Sequence, residues 1–331
     1  MKKKILITGI TGFVGSHLAD FIIENKFDVQ IYGLKRWHLS NLKHIKHIIN
    51  KVILHDCDIT DPISTRKVLE EINPDKIFHC AAESFVSPSW MHPNRYMSVN
   101  YNGTLNLLEA LNIMGSKAIF HIPGSGEEYG EINESELPIN PETVLRPVNP
   151  YAVSKIAQDL IGYVYYKSYN LNVIRTRAFN HEGPRRDKVF GIPWYAFQIA
   201  MIENKLQDPI IKVGGIDDKR NFTHVKDMVE AYWISTEKCN PGELYLVGSE
   251  SESQIFTFRQ ALEKLINMSS TKNIKYETAK EFVRPTNVPY LIATTEKFRK
   301  ATGWSPSISF DKILEDTLEY WRKKVKDNDY L

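Results

Sequence analysis

The chain has 331 residues, with 42 Lys and Arg against 40 Asp and Glu, a formal charge of +2, 42% apolar residues and 25% charged residues. That balance excludes a natively disordered chain, and so small and scattered a basic excess excludes an electrostatic nucleic-acid binder. The length suits two domains, or one large α/β unit with an added lobe.

Cys57, Cys80 and Cys239 are odd in number and far apart. Neither a disulfide framework nor a zinc site is expected, and three unpaired thiols fit a cytoplasmic setting. The basic start leads into an apolar run, Ile5 to Ile7, far short of an export signal. No run approaches the about 18 apolar residues of a membrane span. His44 with His47, and His55-Asp56-Cys57-Asp58, gather no complete metal-ligand set, so no metal is expected.

In chain order the first half alternates strand and helix signals. Ile5–Ile7 reads as a strand and Val14–Ile23 as a helix. Asp28–Gly33 and Val52–Leu54 are strands, Ile63–Ile72 a helix and Lys76–Cys80 a buried strand. Asn100–Leu111 is helical, Ala118–Ile122 a strand, Tyr151–Tyr169 helical and Asn172–Arg177 a strand. This alternation predicts an α/β fold, a Rossmann-type doubly wound parallel sheet with its ligand at the carboxyl ends of the strands. After about residue 180, prolines and glycines cluster. Val225–Thr236 then reads as a helix, Glu243–Val247 as a strand returning to the sheet, Thr257–Met268 as a helix and Asp311 to about Lys324 as an amphipathic terminal helix. Residues 1–180, with about 222–250 returning, are expected to form a dinucleotide-binding domain. About 181–221 and 251–331 form a smaller α/β substrate lobe.

Gly9-Ile-Thr-Gly12-Phe-Val-Gly15 follows the first strand and opens the first helix. Such a turn brings backbone N–H groups and a helix N-terminus to a pyrophosphate. The second strand ends at Gly33-Leu-Lys35-Arg36, with two cations and no carboxylate. A 2′-phosphate can pair with Lys35 or Arg36, which favours NADP, with NAD the alternative. Asp58 is placed to meet the adenine edge, and Ala81-Ala82 offer small side chains where the cofactor passes closely.

Tyr151 and Lys155 are four residues apart at a helix start marked by Pro150, so they share a face. An ammonium beside the phenol is expected to lower its pKa from about 10 and let it remove a hydroxyl proton while hydride leaves the same carbon. Ser125, just past a strand end, can hydrogen-bond the reacting hydroxyl. Glu127 is the informative residue, because plain alcohol oxidation needs no carboxylate. Proton removal next to a new ketone, with loss of water, does need one.

Taken together, the glycine turn, Ser125/Glu127 and Tyr151/Lys155 resemble the extended short-chain dehydrogenase/reductase superfamily. Within it the chain is similar to GDP-mannose 4,6-dehydratases and the related GDP-4-keto-6-deoxyhexose reductases. The likeness runs through 81-AAESFV-86, 179-FNHEGPRR-186, 220-RNF-222, 284-RPTNV-288 and 302-TGW-304. It implies catalytic roles for Ser125, Glu127, Tyr151 and Lys155. It implies cofactor contacts from Gly9, Gly12, Phe13, Val14, Gly15, Lys35, Arg36, Asp58, Ile59, Ala81, Ala82, Tyr151 and Lys155. It implies substrate contacts from Glu83, Ser84, Asn180, Arg185, Val189, Arg220, Arg284 and Asn287, with Arg185 and Arg186 near the cofactor phosphate and a subunit contact.

Four positions depart from the mannose enzymes: Ser125 replaces threonine, Gly126 serine, Asn287 glutamate and Glu83 glutamine. GDP-N-acetylglucosamine thus joins GDP-mannose as an expected substrate, and the GDP-sugar is the expected partner. The implied product is a GDP-4-keto-6-deoxyhexose, made by C4 oxidation, water elimination across C5 and C6, and hydride return to C6, with NADP regenerated each turnover. The implied assembly is a homodimer or homotetramer. Rival readings are a 4-keto reductase, a C4 epimerase and a non-catalytic dinucleotide sensor.

Overall fold

A computed structural model describes residues 2–330; Met1 and Leu331, the outer ends of the two expected lobes, lie outside it. β1 (Lys3–Thr8) and α1 (Phe13–Glu24) flank the glycine turn, and β2 (Val29–Lys35) and β3 (Val52–Asp56) follow. α2 (Pro62–Ile72) leads to β4 (Lys76–His79). Its start is set by Asp61, whose side chain accepts from the Ile63 N–H, and by Pro62; Asn73 in the left-handed region ends it. α3 (Pro93–Tyr96) passes through a π turn (Met97–Asn102) into α4 (Gly103–Ile113), and β5 (Ile119–Ser125), α5 (Pro150–Tyr169) and β6 (Asn172–Ala178) complete this half. β5 runs beyond the expected Ile122 to Ser125, which pairs with Ala178 of β6. The strand thus carries its hydroxyl to the carboxyl edge of the sheet.

The second half begins with β7 (His181–Glu182), α6 (Gly191–Glu203), β8 (Ile210–Val213), β9 (Lys219–Asn221), β10 (Thr223–His224), α7 (Val225–Lys238) and β11 (Leu244–Val247). It continues with β12 (Ile255–Thr257), α8 (Phe258–Asn267), β13 (Lys275–Thr278), β14 (Tyr290–Leu291), α9 (Glu296–Thr302) and α10 (Phe310–Lys326). The main sheet has seven strands in the order β11-β6-β5-β4-β1-β2-β3. All of its pairings are parallel. Strand order reverses between β1 and β4, which opens a crevice at their carboxyl ends.

One face of this sheet is covered by α1 and α7 through Leu18, Ala19, Ile22, Met228 and Tyr232. The other is covered by α2, α4 and α5 through Leu69, Leu107, Leu108, Leu111 and Tyr165. A separate core joins Ile192, Tyr195 and Ile199 of α6 to Leu262 of α8 and to Phe310, Ile313, Leu314 and Trp321 of α10. Phe298 and Trp304 belong to the first core and not to this one. The segment bearing them was expected in the substrate lobe, but α9 packs on β11 and α7.

Candidate active site

The carboxyl ends of β1, β4, β5 and β6 open into a cleft of about 460 Å³. Gly9, Gly12, Phe13, Val14 and Gly15 of the glycine turn line it together with Ser125, Glu127, Tyr151, Asn180, Arg220 and Arg284, and so do Ala82, Ser84 and Arg185. A second hollow, lined by Lys35, Arg36, Asp58, Ile59, Ala81, Ala82 and Glu83, shares Gly9, Gly12, Cys80 and Ala82 with the first. The two form one elongated trough under the glycine turn.

The turn fits a dinucleotide. Gly9 has φ +67°, and a Cβ there would stand 2.8 Å from the Ala81 backbone; one on Gly15 would collide with the Gly9 carbonyl. The Gly12 N–H closes the turn on the Gly9 oxygen at 3.0 Å. At the far end of the trough the Lys35 ammonium is held by Asp56. Among the described residues Arg36 carries the side-chain cation on this rim that no carboxylate pairs. Against the cost of burial, two Thr60 donors and the Arg36 charge hold Asp58 below the usual carboxylate range. Glu83 pairs with Arg95 at 3.0 Å.

At the reacting end, Asn149 joins two tasks. It caps α5 by accepting from the Ala152 N–H at 2.7 Å, and its Nδ2 donates to Glu127 Oε2 at 3.1 Å. Pro150 at the first helical position completes that start. Ser125 Oγ accepts from the Glu127 N–H at 3.2 Å, so serine, glutamate and the tyrosine helix are fixed to one another. Arg220 is buried, donates to the Lys219 carbonyl at 3.0 Å and lies 3.6 Å from Asp218. Arg185, with φ +70°, pairs with Asp20 at 2.6 Å and donates to Ser16 Oγ at 3.2 Å. Arg186 pairs with Glu182 at 2.9 Å and covers the Phe190 ring at 3.9 Å.

One expectation is overturned. Lys155 was to lower the phenol of Tyr151, yet burial raises that phenol above its ordinary range; the Ser125 hydroxyl opposes the rise and the Glu127 carboxylate adds to it. The Lys155 ammonium instead donates to the Pro123 carbonyl at 2.6 Å and to the Gln158 amide oxygen. The shared helix face is real, but both side chains are buried, and the ammonium turns toward the oxygens that compensate its lost hydration. Burial brings Lys155 itself down to about 8, opposed by Glu128 and Asp159.

Two further expected residues lie apart. Val189 is exposed and Asn287 sits beside Gly215; neither lines the cleft. Sequence reasoning also missed Asn149, Glu128 and Asn100. The Asn149-Pro150 pair is a helix-start signal, and Ser125-x-x-Glu128 has the capping-box spacing. Asn100, in the π turn, donates to Ser154 Oγ at 2.9 Å and to the Glu83 carbonyl at 3.0 Å; no local pattern announces it.

Residues 6–317 match the family described as GDP-mannose 4,6 dehydratase. GDP-mannose 4,6 dehydratase 1 of Arabidopsis thaliana is 31% identical over 327 residues, 95% of this chain and 88% of that one. GDP-6-deoxy-D-mannose reductase of Pseudomonas aeruginosa is 30% identical over 328 residues, 99% of this chain and all of its own. The structure of RMD from Pseudomonas aeruginosa complexed with NADPH superposes with a TM-score of 0.82 at 28% identity, covering 98% of this chain and 100% of that one.

Proposed function

The chain belongs to the GDP-mannose 4,6-dehydratase family, and from that premise we propose that it is a GDP-hexose 4,6-dehydratase, a hydro-lyase. GDP-mannose or GDP-N-acetylglucosamine is the substrate and a GDP-4-keto-6-deoxyhexose the product. The observation that carries this reading is the Glu127 carboxylate, held by Asn149 in the same cleft as Tyr151 and Ser125. Residues 1–180 and about 222–250 would hold NADP; about 181–221 and 251–331, apart from α9, would hold the sugar nucleotide.

Gly9, Gly12 and Gly15 would cradle the dinucleotide pyrophosphate and Arg36 its 2′-phosphate. When bound, NADP supplies the acceptor that takes hydride from sugar C4 and returns it at C6. Tyr151 takes the C4 hydroxyl proton as hydride leaves C4, with the Ser125 hydroxyl beside it opposing the rise that burial imposes on the phenol. The resulting ketone acidifies C5–H. Glu127 takes that proton and gives it to the departing C6 hydroxyl, and the reprotonation of C5 at the end is balanced by the proton that Tyr151 took from the C4 hydroxyl. Asn180, Arg220 and Arg284 would grip the diphosphate, Arg220 from a buried position that fixes its fork.

The deciding experiment is incubation with GDP-, UDP- and dTDP-hexoses without added cofactor, followed by mass measurement. Loss of one water from a GDP-hexose supports the reading; steady, stoichiometric NADPH formation contradicts it. A 4-keto reductase is the second reading, favoured by the reductase relative aligned along its whole length. It would consume NADPH each turnover and leave Glu127 without a task.

Arg36→Ala is expected to weaken NADP binding by about ten- to a hundredfold, the worth of a charge-assisted contact, and to leave NAD binding nearly unchanged. Equilibrium titration with both dinucleotides measures this. An equal loss for both would remove Arg36 from the 2′-phosphate.

The protein is proposed to act as a homodimer or homotetramer. Val153, Leu160 and Val164 form an exposed apolar stripe on α5. Leu160→Glu is expected to give a monomer by light scattering at concentrations where the unaltered chain is dimeric.

A further inference from the structure

Behind the cleft floor lies a buried group of charges with no assigned task. Glu128 is wholly buried. Its Oε1 accepts from the Ser125 backbone N–H at 2.7 Å and its Oε2 lies 2.6 Å from Arg177 Nε. Gly124 makes the approach possible, since a Cβ there would stand 2.5 Å from Glu128 Oε1. Arg177 also donates to Asp159 Oδ2 at 2.6 Å, and Arg175 to Asp159 Oδ1 at 3.1 Å. Asp159 follows Lys155 by one turn of α5, so the two share its buried face.

His79, His121 and Cys80 also feel the charge of the Lys155 ammonium. Burial holds both imidazoles down at about 3 and the thiol up at about 12, so all three are uncharged near neutrality. The charged members are three cations, Lys155, Arg175 and Arg177, against Asp159 and Glu128; burial raises the Glu128 carboxyl to about 7, so it carries its charge above that pH. Both arginines keep their charge under any ordinary condition. Lys155 is the member that yields when negative charge is withdrawn.

We propose that Glu128 is a positioning residue for the Tyr151–Lys155 centre: it holds the Ser125 turn by its backbone and supplies one of the two negative charges that keep Lys155 protonated. This inference rests on reading that centre as the redox site. Losing the Glu128 charge leaves three cations facing Asp159 alone, in a region where water screens little. The ammonium then gives up its proton at a lower pH. Losing only the reach of Glu128 frees the Ser125 N–H and loosens the hydroxyl beside Tyr151.

The test separates the two tasks. Protein labelled with nitrogen-15 at lysine Nζ is titrated by NMR, with Lys155→Met assigning the resonance. The Lys155 midpoint is expected to fall by about one unit or more in Glu128→Gln, relative to the unaltered chain; this variant keeps the size and an acceptor oxygen. In Glu128→Asp, which keeps the charge and shortens the arm, the midpoint stays and kcat falls about tenfold with KM little changed. A midpoint that does not move in a folded Glu128→Gln overturns the proposal, as does full kcat in Glu128→Asp. If Glu128→Gln does not fold, Glu128→Asp decides. The NMR titration needs no substrate, so a shifted midpoint in a protein that dehydrates no GDP-hexose upholds the proposal and sinks only the functional reading.

Discussion

Glu127→Gln is expected to cut formation of the water-loss product by about a hundred- to ten-thousandfold, the range of a lost general acid–base group. The replacement has the same shape and still offers an oxygen to Asn149 Nδ2, so the start of α5 and the placement of Tyr151 should survive. C4 oxidation does not use this carboxylate. Substrate should therefore produce one equivalent of reduced dinucleotide per site, seen by absorbance, and then stall. Mass measurement should show no dehydrated sugar. A variant that keeps full turnover would point to the reductase reading, because a simple carbonyl–alcohol exchange has no proton to move at C5.

The second large effect is on stability. Arg177→Met is expected to destabilise the fold by about 3–5 kcal/mol, the usual result of removing one partner from a buried ion pair. Arg177 touches both Glu128 and Asp159 and covers the Tyr129 ring at 5.0 Å. Methionine fills much of the volume but leaves two carboxylates facing each other. The loss should depend on pH in a definite direction. Burial already raises Glu128 to about 7, and Arg177 is the main force pulling it back. Without that force the folded state holds its proton to still higher pH, while the unfolded chain releases it near 4.5. Folded protein then binds more protons than unfolded protein between those limits, so stability falls as pH rises. Denaturant melts at pH 5 and pH 8 should show the larger penalty at pH 8. Equal penalties would mean that packing, and not charge, is what Arg177 contributes.

Much of this molecule is legible from local pattern. The glycine turn, the strand–helix alternation of the first half and the return of β11 each follow from short-range signals of spacing and composition. Ser125, Glu127 and Tyr151 also meet where they were expected. What escapes is long-range or unpatterned. α6 is buried nearly all round, from Ile192 and Pro193 through Ile202, so it shows no polar stripe to mark it as a helix. Its Gly191 and Pro193 read as loop residues although a proline in a first turn costs little. The Glu128–Arg177 pair joins residues that only adjacent strands bring together. The direction of the Lys155 ammonium depends on Pro123 and Gln158, and no spacing rule supplies that. Val189 and Asn287 were assigned by likeness alone, and neither has a cleft position to support the assignment.

The return of β11 to the edge of the main sheet, along Arg175–Ala178 of β6, also bears on how the chain is made. A ribosome releases β6 well before it releases β11. During that interval the outer hydrogen-bonding edge of β6 stays open, and unpaired strand edges invite association between nascent chains. A message truncated within α7 would leave that edge open permanently. The segment between these strands is tethered to the main sheet at both ends, so closing the sheet and anchoring that segment become one event.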